Sequence, residues 1–153
     1  MPCANEVHIT VTAAVTALPA GLQRLDITAD GTELSCAFTL PSLRADEVMG
    51  TLVAQCQPGL TADIGPATTC ATTQAAGTVS QTCAPVAGRI RESIRIAGMP
   101  LVVKVSQLAG PRSVAVLERA DSPRYRIAQP NGPGCDPICH VATVDWAIPQ
   151  TPR

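Results

Sequence analysis

The sequence predicts an all-β fold, a single sandwich stapled by disulfides, and three observations predict it. Apolar and polar residues alternate with a period of two along much of the chain. Pro and Gly punctuate those runs at short intervals, and seven cysteines stand dispersed at positions 3, 36, 56, 70, 83, 135 and 139. At 153 residues and 46% hydrophobic content the chain is long enough for one domain with a core of its own.

The elements follow in order. Val7, Ile9 and Val11 alternate with His8, Thr10 and Thr12 as a half-buried strand does. Leu25 to Ala29 leads through Asp30-Gly31 into Leu34, Cys36, Phe38 and Leu40, and an Asp-Gly pair between two alternating runs is the strongest short-range hairpin signal. One segment reads as a short helix: Ser42 caps a turn starting at Leu43, Asp46 and Glu47 lie near its positive end, and Val48, Leu52 and Cys56 share a face, although Gly50 interrupts it. Residues 59–88, rich in Ala, Thr, Pro and Gly, show little period and read as weak edge strands and loops held by Cys70 and Cys83. Strands return over residues 92–97, 101–108, 113–119, 125–128 and 141–148. About eight short strands with regularly spaced turns favour a Greek-key β-sandwich of immunoglobulin-like or transthyretin-like type. The expected organisation is an N-terminal tether at 1–6, one sandwich domain at 7–150 and a tail at 151–153.

Phe38, Tyr125 and Trp146 are the only aromatics, so the core must interlock Ala, Val, Leu and Ile. Lys104 is the one lysine against ten arginines, and with frequent Ala, Gly and Pro this is the usage of a GC-rich bacterial genome. The first five cysteines are 33, 20, 14 and 13 residues apart. Tandem close pairs for zinc and a C-x-x-C redox site both ask for other spacings, so disulfides in an oxidising compartment are expected. No apolar run reaches the length of a membrane span, and the Met-Pro-Cys start reads as a mature end from which an export signal has been removed. Cys3 is the odd cysteine. Bacterial lipoproteins are cleaved just before a lipid-bearing cysteine, with Ala4-Asn5-Glu6 here as a short tether; alternatively Cys3 is disulfide-bonded and another thiol is left over. The remaining candidates, Cys36, Cys56, Cys70, Cys83, Cys135 and Cys139, pair in any of 15 ways.

Charge is uneven. Residues 1–88 hold two arginines against seven acids, a balance of −5, and residues 89–126 hold eight cations against three acids, a balance of +5. Such asymmetry can orient a protein on an anionic surface or favour head-to-tail contact between copies, and arginines on alternate strand positions are also what a solvated sheet face carries.

His8 and His140 are the only histidines and no G-x-S-x-G is present, so a serine-hydrolase triad is not expected. Metalloprotease, phosphate-loop, dinucleotide and EF-hand patterns are missing, and so few rings disfavour nucleic acid and sugar platforms. One motif is sharp: Cys135-Asp136-Pro137-Ile138-Cys139-His140 is a C-x3-C-H variant of the c-type haem attachment sequence. Haem c held by Cys135 and Cys139, with His140 and His8 (or a Met) on the iron, would make the chain a small electron carrier. The plainer reading is a Cys135–Cys139 disulfide stapling the loop after Pro130-Asn131-Gly132-Pro133-Gly134, with no cofactor and no metal.

The tail from Tyr125 to Trp146, with Asn131-Gly132-Pro133-Gly134-Cys135-Asp136-Pro137-Ile138-Cys139 before an alternating strand, resembles the C-terminus of uncharacterised exported β-sandwich proteins of myxobacterial type, many of them lipoproteins. The resemblance covers about a seventh of the chain. It implies fold and location, adds no mechanism, and makes His140 a tolerated substitution. The expected function is a non-enzymatic, secreted or lipid-anchored surface or periplasmic module. It would meet a protein or cell-surface partner or its own copies, make no contact with nucleic acid, and touch a membrane only through a lipid anchor.

Overall fold

A computed structural model describes residues 3–133 and 136–149. Its described residues form strands β1 (Glu6–Ala14), β2 (Gly21–Ala29), β3 (Thr32–Leu40), β4 (Leu52–Val53), β5 (Gln55–Cys56), β6 (Leu60–Ala75), β7 (Thr78–Ala97), β8 (Val103–Ala109), β9 (Val114–Asp121), β10 (Arg126–Ala128) and β11 (Cys139–Ala147). Among them the one helical element is a 3-10 turn at Val15–Ala17. One sheet has the order β10-β11-β1-β7-β6-β4 and the other β5-β3-β2-β8-β9, so the expected disulfide-stapled all-β sandwich is formed. The first strand runs parallel to the last, Glu6 opposite Val141 through Thr12 opposite Ala147, and antiparallel to β7.

Alternation places the core between the sheets. Val7, Ile9 and Val11 of β1 and Ile90, Ile94 and Ile96 of β7 face Leu25 and Ile27 of β2 and Val103 and Val105 of β8, all at most 1% exposed. Trp146 is half-buried against this cluster. Three polar side chains interrupt it: Gln23, Glu92 and Gln107 are as buried as the isoleucines.

The hairpin predicted at Asp30-Gly31 is present, with φ of 49° and 83° at the two turn residues, the left-handed pair that suits a two-residue turn between twisted strands. The Asp30 carboxylate also accepts the backbone N–H groups of Leu101 and Val102 at 2.9 Å, and the Tyr125 hydroxyl donates to the Pro100 carbonyl at 2.7 Å. The loop after β7 is therefore clamped from two sides.

Three expectations are corrected. Residues 42–56 form no helix but a turn at Arg44–Glu47 followed by β4 and β5. Val48 and Val53 are 49% and 76% exposed while Met49 and Ala54 are buried, a distribution that no single helical face produces, and Cys56 must lie extended to pair with Cys36 across β3 and β5. Residues 59–88 are not weak strands and loops but most of one long hairpin, β6–β7. Nor are residues 3–6 a free tether. Glu6 opens β1, Asn5 Oδ1 accepts the His140 N–H at 2.8 Å, and Cys3 is bonded to Cys139.

The Cys36–Cys56 bond joins directly paired residues with Cα atoms 4.1 Å apart, and Cys36 is 1% exposed. Replacing both by Ala should lower stability by about 3 kcal/mol, the loop-closure value for a bridge of this span, measured by urea unfolding.

Candidate functional site

Beyond the sandwich, β6 and β7 continue as a ribbon with no other strand of the described residues beside it. β4 pairs β6 only at Asp63 and Ile64, and β1 pairs β7 only from Arg89 to Ala97. Residues 68–85 are all exposed, on both faces of the ribbon. They pair from Thr68 with Pro85 to Ala75 with Thr78, so the arm projects roughly 25 Å at about 3.4 Å per residue. No charged residue lies between Asp63 and Arg89. One face carries Thr69, Ala71, Thr73 and Ala75 opposite Ala84, Thr82, Ser80 and Thr78, a surface of methyls and hydroxyls. Thr73 and Ser80 join their side-chain oxygens across it at 2.7 Å.

The arm is fixed at three places. Its tip turns at Ala76 and Gly77, with φ of 51° and 77°. Cys70 and Cys83, directly paired with Cα atoms 4.0 Å apart, are disulfide-bonded near its middle. At its root Gly88 donates its N–H to the Glu47 carbonyl at 2.8 Å. A Cβ on Gly88 would meet the Ala45 carbonyl oxygen at 2.3 Å and φ is +75°, so only glycine lets the 44–47 turn close against the root.

The other cysteines are paired differently from the expectation. Cys139 bonds Cys3, 136 residues away, and not Cys135, which lies outside the described residues. The parallel pairing of β1 with β11 sets the starts of the two strands side by side, and Cys3 reaches Cys139 from just before β1. Cys3 is therefore not the odd cysteine, and the sulfur that a lipid thioether or a haem thioether would need is occupied in both residues. The register also separates the histidines. His8 shares the outer face of its sheet with Thr143, whereas His140 has the opposite parity on β11.

Strand pairing assembles one chemical pair that the linear sequence hides. His8 Nε2 and Ser93 Oγ are in hydrogen-bond contact at 2.7 Å, diagonal neighbours on β1 and β7. Burial first, and then the positive charge of Arg95, lowers the pKa of His8, which favours the neutral ring. A base beside a hydroxyl is only part of a catalytic unit. This one lies on an open sheet face, its other ring nitrogen has no carboxylate hydrogen bond among the described residues, and the neighbouring backbone N–H groups are engaged in the ladders. Arg89, Arg91 and Arg95 share this outer face and form no ion pair among the described residues. In a shallow depression of about 340 Å3 lined by Asp26, Thr28, Glu33, Ser35 and Gln57, no hydroxyl is hydrogen-bonded to a carboxylate; Asp26 is held by Arg24, and Gln57 accepts the Ser35 backbone N–H. Among the described residues no three His, Cys, Asp or Glu side chains are placed to hold a metal ion, and no helix is long and apolar enough to cross a membrane.

Compared with known proteins, the chain matches no family model, no curated protein and no solved structure.

The arm buries none of its residues between 68 and 85, so its order and that of the sandwich separate. Replacing Cys70 and Cys83 together by Ser should speed amide hydrogen exchange along the arm many-fold, while the unfolding free energy of the body moves by no more than about 0.5 kcal/mol.

Proposed function

We propose that the chain is an exported, non-enzymatic binding or structural module that meets its partner through the β6–β7 arm. One observation carries this reading: eighteen successive residues, 68–85, are held in an ordered, stapled ribbon while burying nothing within their own domain. An isolated two-stranded ribbon is marginal in water, and its bare edges invite pairing with another chain unless charge or Pro blocks them. Here Pro85 is the only such residue. The chemistry of the arm also bounds the partner. Its methyls, hydroxyls and open edges suit an uncharged protein surface or a second copy, and they offer nothing to a nucleic acid, whose binding rests on neutralised phosphates.

Export is supported by three disulfides, which form and persist in oxidising compartments. Of the two exported forms, the secreted one fits the Cys3–Cys139 bond better than the lipid-anchored one. The electron-carrier alternative asks Cys139 for a thioether and asks one iron to collect His8 and His140 from opposite sheet faces, and both demands weigh against it.

Joining Thr68 to Pro85 through an Asn-Gly turn removes the arm and leaves the sandwich. Sedimentation of both proteins, alone at rising concentration and mixed with cell-surface material, tests the reading. The arm-bearing chain should self-associate or bind, and the shortened one should do neither while melting within a few degrees of the original. Association that survives the deletion overturns the reading, and so does an arm-bearing chain that stays monomeric and unbound.

A further inference from the structure

The three polar residues in the core form one connected group. Gln23 Nε2 donates to the Pro19 carbonyl at 2.8 Å. Gln107 Nε2 donates to Glu92 Oε1 at 2.8 Å and to Gln23 Oε1 at 3.3 Å. Glu92 comes from one sheet and the two glutamines from the other, so the group spans the sandwich. Among the described residues two of its oxygens have no hydrogen-bond partner: Glu92 Oε2 and Gln107 Oε1. Read as a carboxylate, Glu92 would bury a full charge on a single donor and leave two orphaned acceptors, each costly in a dry interior.

A carboxylic acid removes both defects at once. An acid and a primary amide are each planar, with a donor and an acceptor side by side. Since Gln107 Nε2 already donates to Oε1, a proton on Oε2 meets the orphaned Oε1 of Gln107 and closes a ring of two hydrogen bonds. We propose that Glu92 carries a proton in the folded protein and pairs with Gln107 in this way, a latch between the two sheets that loss of the proton releases.

Among the described residues nothing charged faces Glu92 from the surrounding elements. Its strand neighbours are Val11 on β1 and Ile64 on β6. The core faces of β2, β3, β8 and β11 offer Gln23, Gln107 and apolar residues only, and the nearby arginines of β7, Arg89, Arg91 and Arg95, are exposed on the other side of the sheet. Burial therefore dominates and the Gln107 hydrogen bond opposes it only in part, pushing Glu92 up to about 7 from an ordinary value of 4.5. Between those values the folded chain binds more protons than the unfolded chain. The contribution of this group to stability is thus complete below the ordinary value and is lost as the pH rises through about 7. Glu92 lies one core layer below Ile90, whose partner Pro66 is where the arm leaves the body, so releasing the latch loosens the support of the arm.

The test is urea unfolding of the full chain and of Glu92→Gln from about pH 5 to about pH 8. The folding equilibrium constant of the original chain should fall by roughly two orders of magnitude relative to the variant across that range, because the substituted amide makes the same two hydrogen bonds without a titrating proton. Parallel pH profiles for the two proteins would overturn the latch. If the variant does not fold, infrared spectroscopy of the original chain decides. A band of a buried protonated carboxyl at about pH 6 that vanishes at alkaline pH is the expected result, and a spectrum showing only carboxylates at about pH 6 refutes the proposal.

Discussion

From Gly88 to Ala97, β7 turns Ile90, Glu92, Ile94 and Ile96 inward and Arg89, Arg91 and Arg95 outward, flanked by β1 on one side and β6 on the other. A slip of one residue would place three guanidinium groups in the core and three isoleucines in water, so the register is fixed by burial with a wide margin. The rest of the molecule depends on that register. It aligns β1, which aligns β11 and brings Cys139 to Cys3; it sets Glu92 against Gln107; and it carries the same strand out of the body as one side of the arm.

The molecule shows two regimes of stability along single continuous strands. Within the body, alternation buries branched side chains between two sheets and burial holds the pairing together. Past Gly88 and Pro66 the same strands lose the opposite sheet, and the pairing is left to the ladder hydrogen bonds, a two-residue turn and the Cys70–Cys83 bond. A covalent cross-link near the middle of the ribbon stands where a core would otherwise be, which is how small or coreless elements are commonly held. The root shows the same economy, since the 44–47 turn reaches the arm through a glycine that no other residue could replace.

The cysteines follow the sheets. Cys36 with Cys56 and Cys70 with Cys83 are direct cross-strand partners, so each bond restates a pairing that the backbone has already made. Cys3 with Cys139 joins the segment before β1 to the first residue of β11, at the end where the two parallel strands start. A Cys135–Cys139 pairing is what the sequence offers, because a short loop closes easily; the parallel pairing instead sets Cys3, far away in sequence, where it bonds Cys139.

Legible in the linear chain were the all-β class, the strands whose two faces differ, the Asp30-Gly31 hairpin and the commitment to disulfides. Each of these leaves a local mark: a period of two where one face is buried, a turn dipeptide, a dispersed set of thiols. The arm leaves no such mark, because residues 68–85 are exposed on both faces and Ala75-Ala76-Gly77-Thr78 lacks the usual turn pair, so neither alternation nor turn chemistry distinguishes them from a loop. Residues 42–56 misled for a related reason: their few apolar residues can be placed on a helical face when no partner strand is in view. Which cysteines meet, that Ser93 stands beside His8, and that a glutamate completes a hydrogen-bonded group in the core emerged only once the sheets were assembled. All three depend on contacts between strands distant in sequence, and those contacts are fixed by the register of whole sheets.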